Sequence, residues 1–261
     1  MEVRRTTVGA FPALVAGEGP PLVVLAGLTP DVGVDGSAMR RAHVRTMAAF
    51  AAAAEVTYLN RRRGLPRGAT MAVLAAEHAD ALRTAFDGPV DLAGLSTGGS
   101  IAQQLAADHP DVVRRLVLVS TGCRLGPRAR EEQRRVAEAV RAGRPRRAFA
   151  ELGRDLAPGP AGLVPAAAAW AVGPRLFPGP LDDLATTIEA EDGFDLVRCA
   201  APIRAPTLLV VGGRDPYYPA SIVEETLRLI PGAHLDLHPR RGHVSTLAAP
   251  GLPATLAGFL G

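Results

Sequence analysis

Short, strand-like apolar segments alternate with helical patterns along most of this chain, and that alternation narrows the open folds more than any other feature. Val3–Val8 and Ala13–Ala16 read as two short strands joined through Gly9 and Pro12, an antiparallel start. Leu22-Val23-Val24-Leu25-Ala26 is a continuous apolar run, as expected of a strand covered on both faces. A glycine-rich loop, Gly27-Leu28-Thr29-Pro30, leads into a predicted helix from about Ser37 to Ala54. The next strand is Val56–Leu59, and Thr70 can cap a helix running to about Phe86. Val90–Leu95 is a strand, Thr97–His109 a helix closed by Pro110, and Leu116–Val119 a strand. Strands that take turns with helices in this way build a parallel α/β sheet.

The rhythm breaks between Cys123 and Ile203, where helical patterns and proline-glycine punctuation carry no convincing strand. It resumes with Thr207–Val211, a helix from about Ala220 to Leu229, Leu235–Leu237 and a final helix near Pro253–Leu260. The expected organisation is a core in two chain segments, residues 1–122 and 204–261, with a helical insertion over residues 123–203. At 261 residues, 48% hydrophobic and 21% charged, the composition excludes a disordered or collagen-like chain. No apolar run approaches the ~20 residues of a membrane helix. The segment Met1-Glu2-Val3-Arg4-Arg5 lacks an apolar stretch of the secretory kind, so the cytoplasm is the expected compartment.

All 29 basic side chains are arginine, against 26 acidic ones, so the formal charge is only +3. Ten arginines fall between Arg124 and Arg154 with four glutamates, and Phe149 is the one aromatic among them. A nucleic-acid site interleaves aromatics with such charge, so these arginines are read as solvated helix faces and no nucleic-acid partner is expected. Cys123 and Cys199 make neither a disulfide framework nor a metal site.

Chemistry concentrates at three places. Gly94-Leu95-Ser96-Thr97-Gly98 fits G-x-S-x-G, and it lies between an apolar strand and a helix. An ordinary glycine-rich turn would share the pattern, but a strand-to-helix turn this tight exposes the Ser96 hydroxyl at the sheet's C-terminal edge. It also aims a helix N-terminus at any oxyanion formed there. A serine hydroxyl needs a base. Among six histidines, only His243 sits in a loop beyond the last predicted strand and before the last helix. An imidazole in turn needs a carboxylate to fix its tautomer, and Asp215 follows Thr207–Val211 directly, at the same sheet edge as Ser96. After Leu116–Val119 stand Ser120 and Thr121, so no acid is available at that position.

With the order Ser96, Asp215, His243, the chain resembles the α/β-hydrolase superfamily over essentially its whole length. The resemblance implies a mostly parallel eight-stranded sheet flanked by helices, with a helical lid, residues 123–203, inserted after the sixth strand. It further implies a Ser-His-Asp hydrolase without cofactor or metal, its oxyanion held by the backbone N–H groups of Leu28 and Thr97. In this family a His-Gly often precedes the oxyanion loop, where Ala26-Gly27 stands here, and an Asp-x-Arg-Gly turn often follows the fourth strand. The latter reads Arg61-Arg62-Arg63-Gly64 in this chain, with an arginine in place of the acid. The segments Gly94–Gly99 and Val119–Gly126 are similar to the esterase and enol-lactonase branch, whose elbow cofactor-free perhydrolases share.

The expected substrate is therefore a small or medium carboxylic ester or lactone, cleaved through an acyl-enzyme on Ser96. The expected pocket lies between lid and core, lined by Leu28, Phe149, Trp170, Leu176 and Phe177. An acyltransferase or perhydrolase would use the same three residues, and a ligand-binding protein of this fold would keep them without turnover.

Overall fold

The computed structural model describes residues 1–34, 36, 38–154, 159–199 and 201–261. Among them, eight strands form one sheet in the order β1-β2-β4-β3-β5-β6-β7-β8. The strands are β1 (Arg4–Val8), β2 (Phe11–Ala16), β3 (Pro21–Leu25), β4 (Glu55–Leu59), β5 (Val90–Leu95), β6 (Val113–Val119), β7 (Thr207–Gly212) and β8 (His234–His238). Only β2 runs against its neighbours; every pair from β4 to β8 is parallel.

The apolar runs do what their pattern demands. Along β3, Leu22 and Val24 pack into a core with α1 (Arg40–Ala51) and α9 (Leu252–Leu260), through Met47, Phe50, Leu252 and Leu256. Val23 and Leu25 face the opposite core, with α2 (Met71–Ala85) and α3 (Thr97–Asp108), through Leu74, Leu82, Ile101 and Leu105. A strand with both faces covered has no polar face, hence the unbroken hydrophobic run. The Thr70 hydroxyl accepts from the Val73 N–H at 3.4 Å and starts α2 where its sequence predicts a cap.

Differences from the sequence reading fall at element ends. The expected start of the first helix at Ser37 lies outside the described residues, and α1 is assigned from Arg40. Strand β6 begins at Val113, three residues before the apolar run, because Arg114 and Arg115 serve a buried acid. Arg114 grips Asp91 of β5 bidentately, Nε–Oδ1 2.8 Å and Nη2–Oδ2 2.7 Å, and Asp91 is fully buried.

Between β6 and β7 the chain forms α4 (Pro127–Arg141), α5 (Pro145–Arg154), α6 (Leu163–Leu176) and α7 (Asp182–Asp192), and α8 (Ala220–Leu229) follows β7. Helices α4, α5 and α7 bury a cluster of their own, including Val136, Phe149, Leu184 and Ile188, against which Leu28 of the core packs. Helix α7 ties this insertion to the core: the Asp183 carboxylate accepts from the Gly64 and Leu65 N–H groups at 2.9 and 2.7 Å. Arginines of the basic stretch find carboxylates, as in Arg128–Glu132, Arg135–Glu131 and Arg141–Glu189.

The chain leaves β3 toward one side of the sheet, to β4, and returns through α2 to β5 on the other side. The loops after β3 and β5 therefore diverge over the C-terminal edge. A parallel sheet opens a ligand crevice at such a switch point.

Candidate active site

Ser96 caps β5 with φ 48° and ψ −118°, a left-handed backbone that an L-residue adopts only under constraint. Three hydrogen bonds hold it there: its N–H donates to the Val119 carbonyl at 3.0 Å, and its carbonyl accepts from the N–H groups of Gly99 and Ser100 at 2.7 and 3.2 Å. Two glycines make the turn possible. A Cβ on Gly94 would stand 2.5 Å from the Gly98 carbonyl oxygen, and one on Gly98 would stand 2.4 Å from the Leu25 oxygen. Both spacings are far inside van der Waals contact, so the sequence admits no side chain at either position.

The Ser96 Oγ lies 3.0 Å from His243 Nε2, and His243 Nδ1 lies 2.8 Å from Asp215 Oδ2. Because the buried carboxylate accepts at Nδ1, the Nε2 lone pair is turned toward the serine. Asp215 is itself fixed, its Oδ1 accepting from the N–H groups of Tyr217 and Tyr218 at 2.8 and 3.3 Å. The imidazole is packed by two rings, Tyr217 edge-on at 4.8 Å and Tyr218 nearly parallel at 5.9 Å. The three residues singled out in the sequence thus meet in one chain of hydrogen bonds, drawn from three loops at one sheet edge.

The loop after β3 runs over the elbow. A Cβ on Gly27 would stand 3.3 Å from the Leu95 oxygen and 3.5 Å from the Ser96 Cβ, so the Gly27–Leu28 peptide lies against the serine. Thr97 opens α3, one residue beyond it. Of the apolar residues expected to line a pocket, Phe149 and Phe177 stack at 5.6 Å, and Leu28 packs against the same cluster. Trp170 and Leu176 are exposed, at 49% and 56%, and Arg146 lies over the Trp170 ring at 4.6 Å.

Several neighbours carry no local sequence signal. Ser120, also at positive φ, donates from Oγ to the His243 carbonyl at 2.7 Å. Arg61 and Glu191 are buried charges beside the elbow, their partners far away in sequence. A buried acid was findable only as a glutamate in the apolar face of α7, beside Ala185, Ile188 and Ala190. Cys123 is buried in the core, and burial pushes its thiol up, away from the reactive thiolate. Among the described residues, no three His, Cys, Asp or Glu side chains converge as a metal site requires.

Residues 22–252 match the alpha/beta hydrolase family, and the chain belongs to that family. It is a hydrolase of this fold. Among its relatives is the protein of Klebsiella pneumoniae named "Putative carbamate hydrolase RutD", 30% identical over 69% of this chain and 68% of that one. A pimeloyl-[acyl-carrier protein] methyl ester esterase of Neisseria meningitidis is 29% identical over 65% of this chain and 68% of its own. The crystal structure of a hydrolase from Pseudomonas aeruginosa superposes with a TM-score of 0.73 at 25% identity, covering 99% of this chain and 98% of that one.

Proposed function

We propose that this hydrolase is a serine esterase or lactonase acting on a small or medium carboxylic ester through an acyl-enzyme. The observation that carries the reading is the relay Ser96 Oγ–His243 Nε2, 3.0 Å, and His243 Nδ1–Asp215 Oδ2, 2.8 Å. In this reading His243 takes the serine proton as Oγ attacks the carbonyl carbon, and Asp215 stabilises the imidazolium that forms. The N–H groups of Leu28 and Thr97 receive the oxyanion. Collapse of the tetrahedral species breaks the bond to the leaving alkoxide, which takes the proton from His243. Water, deprotonated by the same nitrogen, then attacks the acyl-serine, releases the acid and restores Ser96.

The named activities of the relatives, an esterase and a carbamate hydrolase, both concern a carbonyl bearing a heteroatom, the substrate this relay suits. Residues 123–203 form the lid in this reading, and Leu28, Phe149 and Phe177 supply an apolar wall for the acyl chain. Trp170 and Leu176, exposed on α6, stand outside that wall.

Pre-steady-state hydrolysis of short-chain nitrophenyl esters tests the scheme. A burst of nitrophenol equal to the enzyme concentration is expected where deacylation limits turnover. Ser96→Ala is expected to lose it and to lower kcat by about 10⁴ or more. Turnover of Ser96→Ala near the wild-type level would sink the scheme.

A further inference from the structure

The sequence puts an arginine, Arg61, where the resemblance leads one to expect an acid, and the structure buries it almost completely, at 1% exposure. Glu191, of α7, is buried at 0% within electrostatic reach of it. A charge taken out of water at such a depth costs several kcal/mol unless it is paired and hydrogen-bonded, so what these two side chains hold is informative. Neither holds the other directly. Arg61 donates from Nη1 to the Gly27 carbonyl at 3.3 Å and from Nη2 to the Thr29 carbonyl at 3.2 Å, bracketing Leu28. Glu191 accepts from the Thr97 hydroxyl at 2.7 Å and from the Ser100 hydroxyl at 3.0 Å, bracketing the first turn of α3.

The two grips reach the two proposed oxyanion donors through the backbone. In a trans peptide the carbonyl and the N–H point in opposite directions. The Gly27 carbonyl and the Leu28 N–H belong to one such unit, since no cis bond occurs among the described residues. A guanidinium clamped to that carbonyl therefore aims the Leu28 N–H the other way, and by withdrawing electron density it makes the N–H a stronger donor. On the second side, the Ser96–Thr97 peptide has its carbonyl held by the Ser100 N–H at 3.2 Å, and Glu191 holds the side chains of Thr97 and Ser100.

A carboxylate beside a helix N-terminus has a cost for catalysis, because its field opposes a second negative charge developing nearby. The buried Arg61, whose charge acts on Glu191, offsets that field. Burial pulls Arg61 down to about 10 and pushes the Glu191 carboxyl up, while the attraction between them works against both shifts.

We infer that Arg61 and Glu191 are positioning residues for the oxyanion hole: Arg61 sets the Leu28 peptide, Glu191 sets the first turn of α3, and their opposite charges are matched so that the oxyanion meets no uncompensated carboxylate. This rests on the reading of Ser96 as nucleophile and of Leu28 and Thr97 as donors.

The test uses Arg61→Met, Arg61→Lys, Glu191→Gln and the double variant Arg61→Met/Glu191→Gln, with Ser96→Ala as control. Four quantities are read: kcat and KM for a nitrophenyl ester, inhibition by a trifluoromethyl ketone, and Tm. The ketone carbonyl carbon takes the Ser96 oxygen while His243 takes the proton, leaving an oxyanion, so its affinity reports the hole itself. Arg61→Met is expected to lose kcat and ketone affinity in parallel, approaching the 10²–10³ that deletion of a donor costs, with KM little changed. Glu191→Gln, isosteric and with one acceptor left, is expected to lose on the order of tenfold. Arg61→Lys should recover part of the loss. The double variant should exceed Arg61→Met in kcat, because it no longer leaves a carboxylate uncompensated.

Lower Tm with unchanged kcat and ketone affinity in the folded variants would overturn the inference and leave a purely structural role. Should Arg61→Met fail to fold, Arg61→Lys and Glu191→Gln carry the same test. If instead the wild type gives no Ser96-dependent turnover, the reading of the site has failed and the inference falls with it; Ser96-dependent turnover with unaffected positioning variants overturns the inference alone.

Discussion

The Ser120 hydroxyl donates to the main-chain carbonyl of His243 at 2.7 Å, so the strand beside the one that ends at Ser96 holds the histidine loop in place. The anchor is built with care, since Ser120 sits at φ 49° and its N–H is held by the Val210 carbonyl at 2.9 Å. Three adjacent strands thus meet on one imidazole: β5 supplies Ser96, β6 braces the loop, and β7 leads to Asp215.

Ser120→Ala removes that brace without changing the strained backbone. A net hydrogen bond contributes about 0.5–1.5 kcal/mol. Loss of alignment of that order lowers kcat several-fold, with KM nearly unchanged, in steady-state ester hydrolysis. Equal kcat in the variant would show that the loop holds itself.

Gly98→Ala drives a methyl group to 2.4 Å from the Leu25 oxygen and 2.5 Å from the Ala26 oxygen, both backbone atoms that cannot swing aside. Overpacking of this kind costs about 1–3 kcal/mol or more. For a chain of this size each kcal/mol lowers Tm by roughly 2–4 °C. Calorimetry should show a drop of several degrees, and activity should fall further than stability, because β3 and the loop after it must move to make room.

Two buried histidines outside the relay set an acid limit. Burial pulls both His43 and His78 down to about 4. His78 keeps Nδ1 2.7 Å from the Leu74 carbonyl, and His43 keeps Nδ1 3.3 Å from the Tyr58 hydroxyl. The unfolded chain, with ordinary values near 6.5, binds more protons than the folded one between pH 6.5 and about 4. Stability is therefore full above pH 6.5 and is lost as pH falls toward 4, by up to about 1.4 kcal/mol per pH unit for each histidine. Tm measured from pH 7.5 to 4.5 should fall steeply. His78→Gln, which keeps a donor for Leu74 without the titration, should flatten the curve.

What the sequence made legible follows from where each signal is stored. The elbow, the Gly-Arg-Asp turn and the Gly-His loop are local, because each depends on a turn made by its immediate neighbours, so the meeting of Ser96, Asp215 and His243 at one sheet edge is legible in a single chain. Arg61 and Glu191 were not, since their meaning lies in carbonyls and hydroxyls tens of residues away. Arg114 and Arg115 masked the start of β6, because two charges beside an apolar run look like a loop until Asp91 is seen between them. The faces of α6 were equally opaque. Leu163-Val164-Pro165-Ala166 and its continuation are apolar on all sides, so hydrophobicity could not tell the exposed Trp170 and Leu176 from a buried face.

The proposed function turns on Ser96 being the activated nucleophile. Labelling with a fluorescent fluorophosphonate, followed by mass mapping of the modified peptide, tests that directly, with Ser96→Ala and His243→Ala alongside. Stoichiometric label on Ser96 in the wild type, none in Ser96→Ala and label slowed by orders of magnitude in His243→Ala is the predicted result. A wild-type protein that hydrolyses esters but carries its label elsewhere, or takes none, would contradict it.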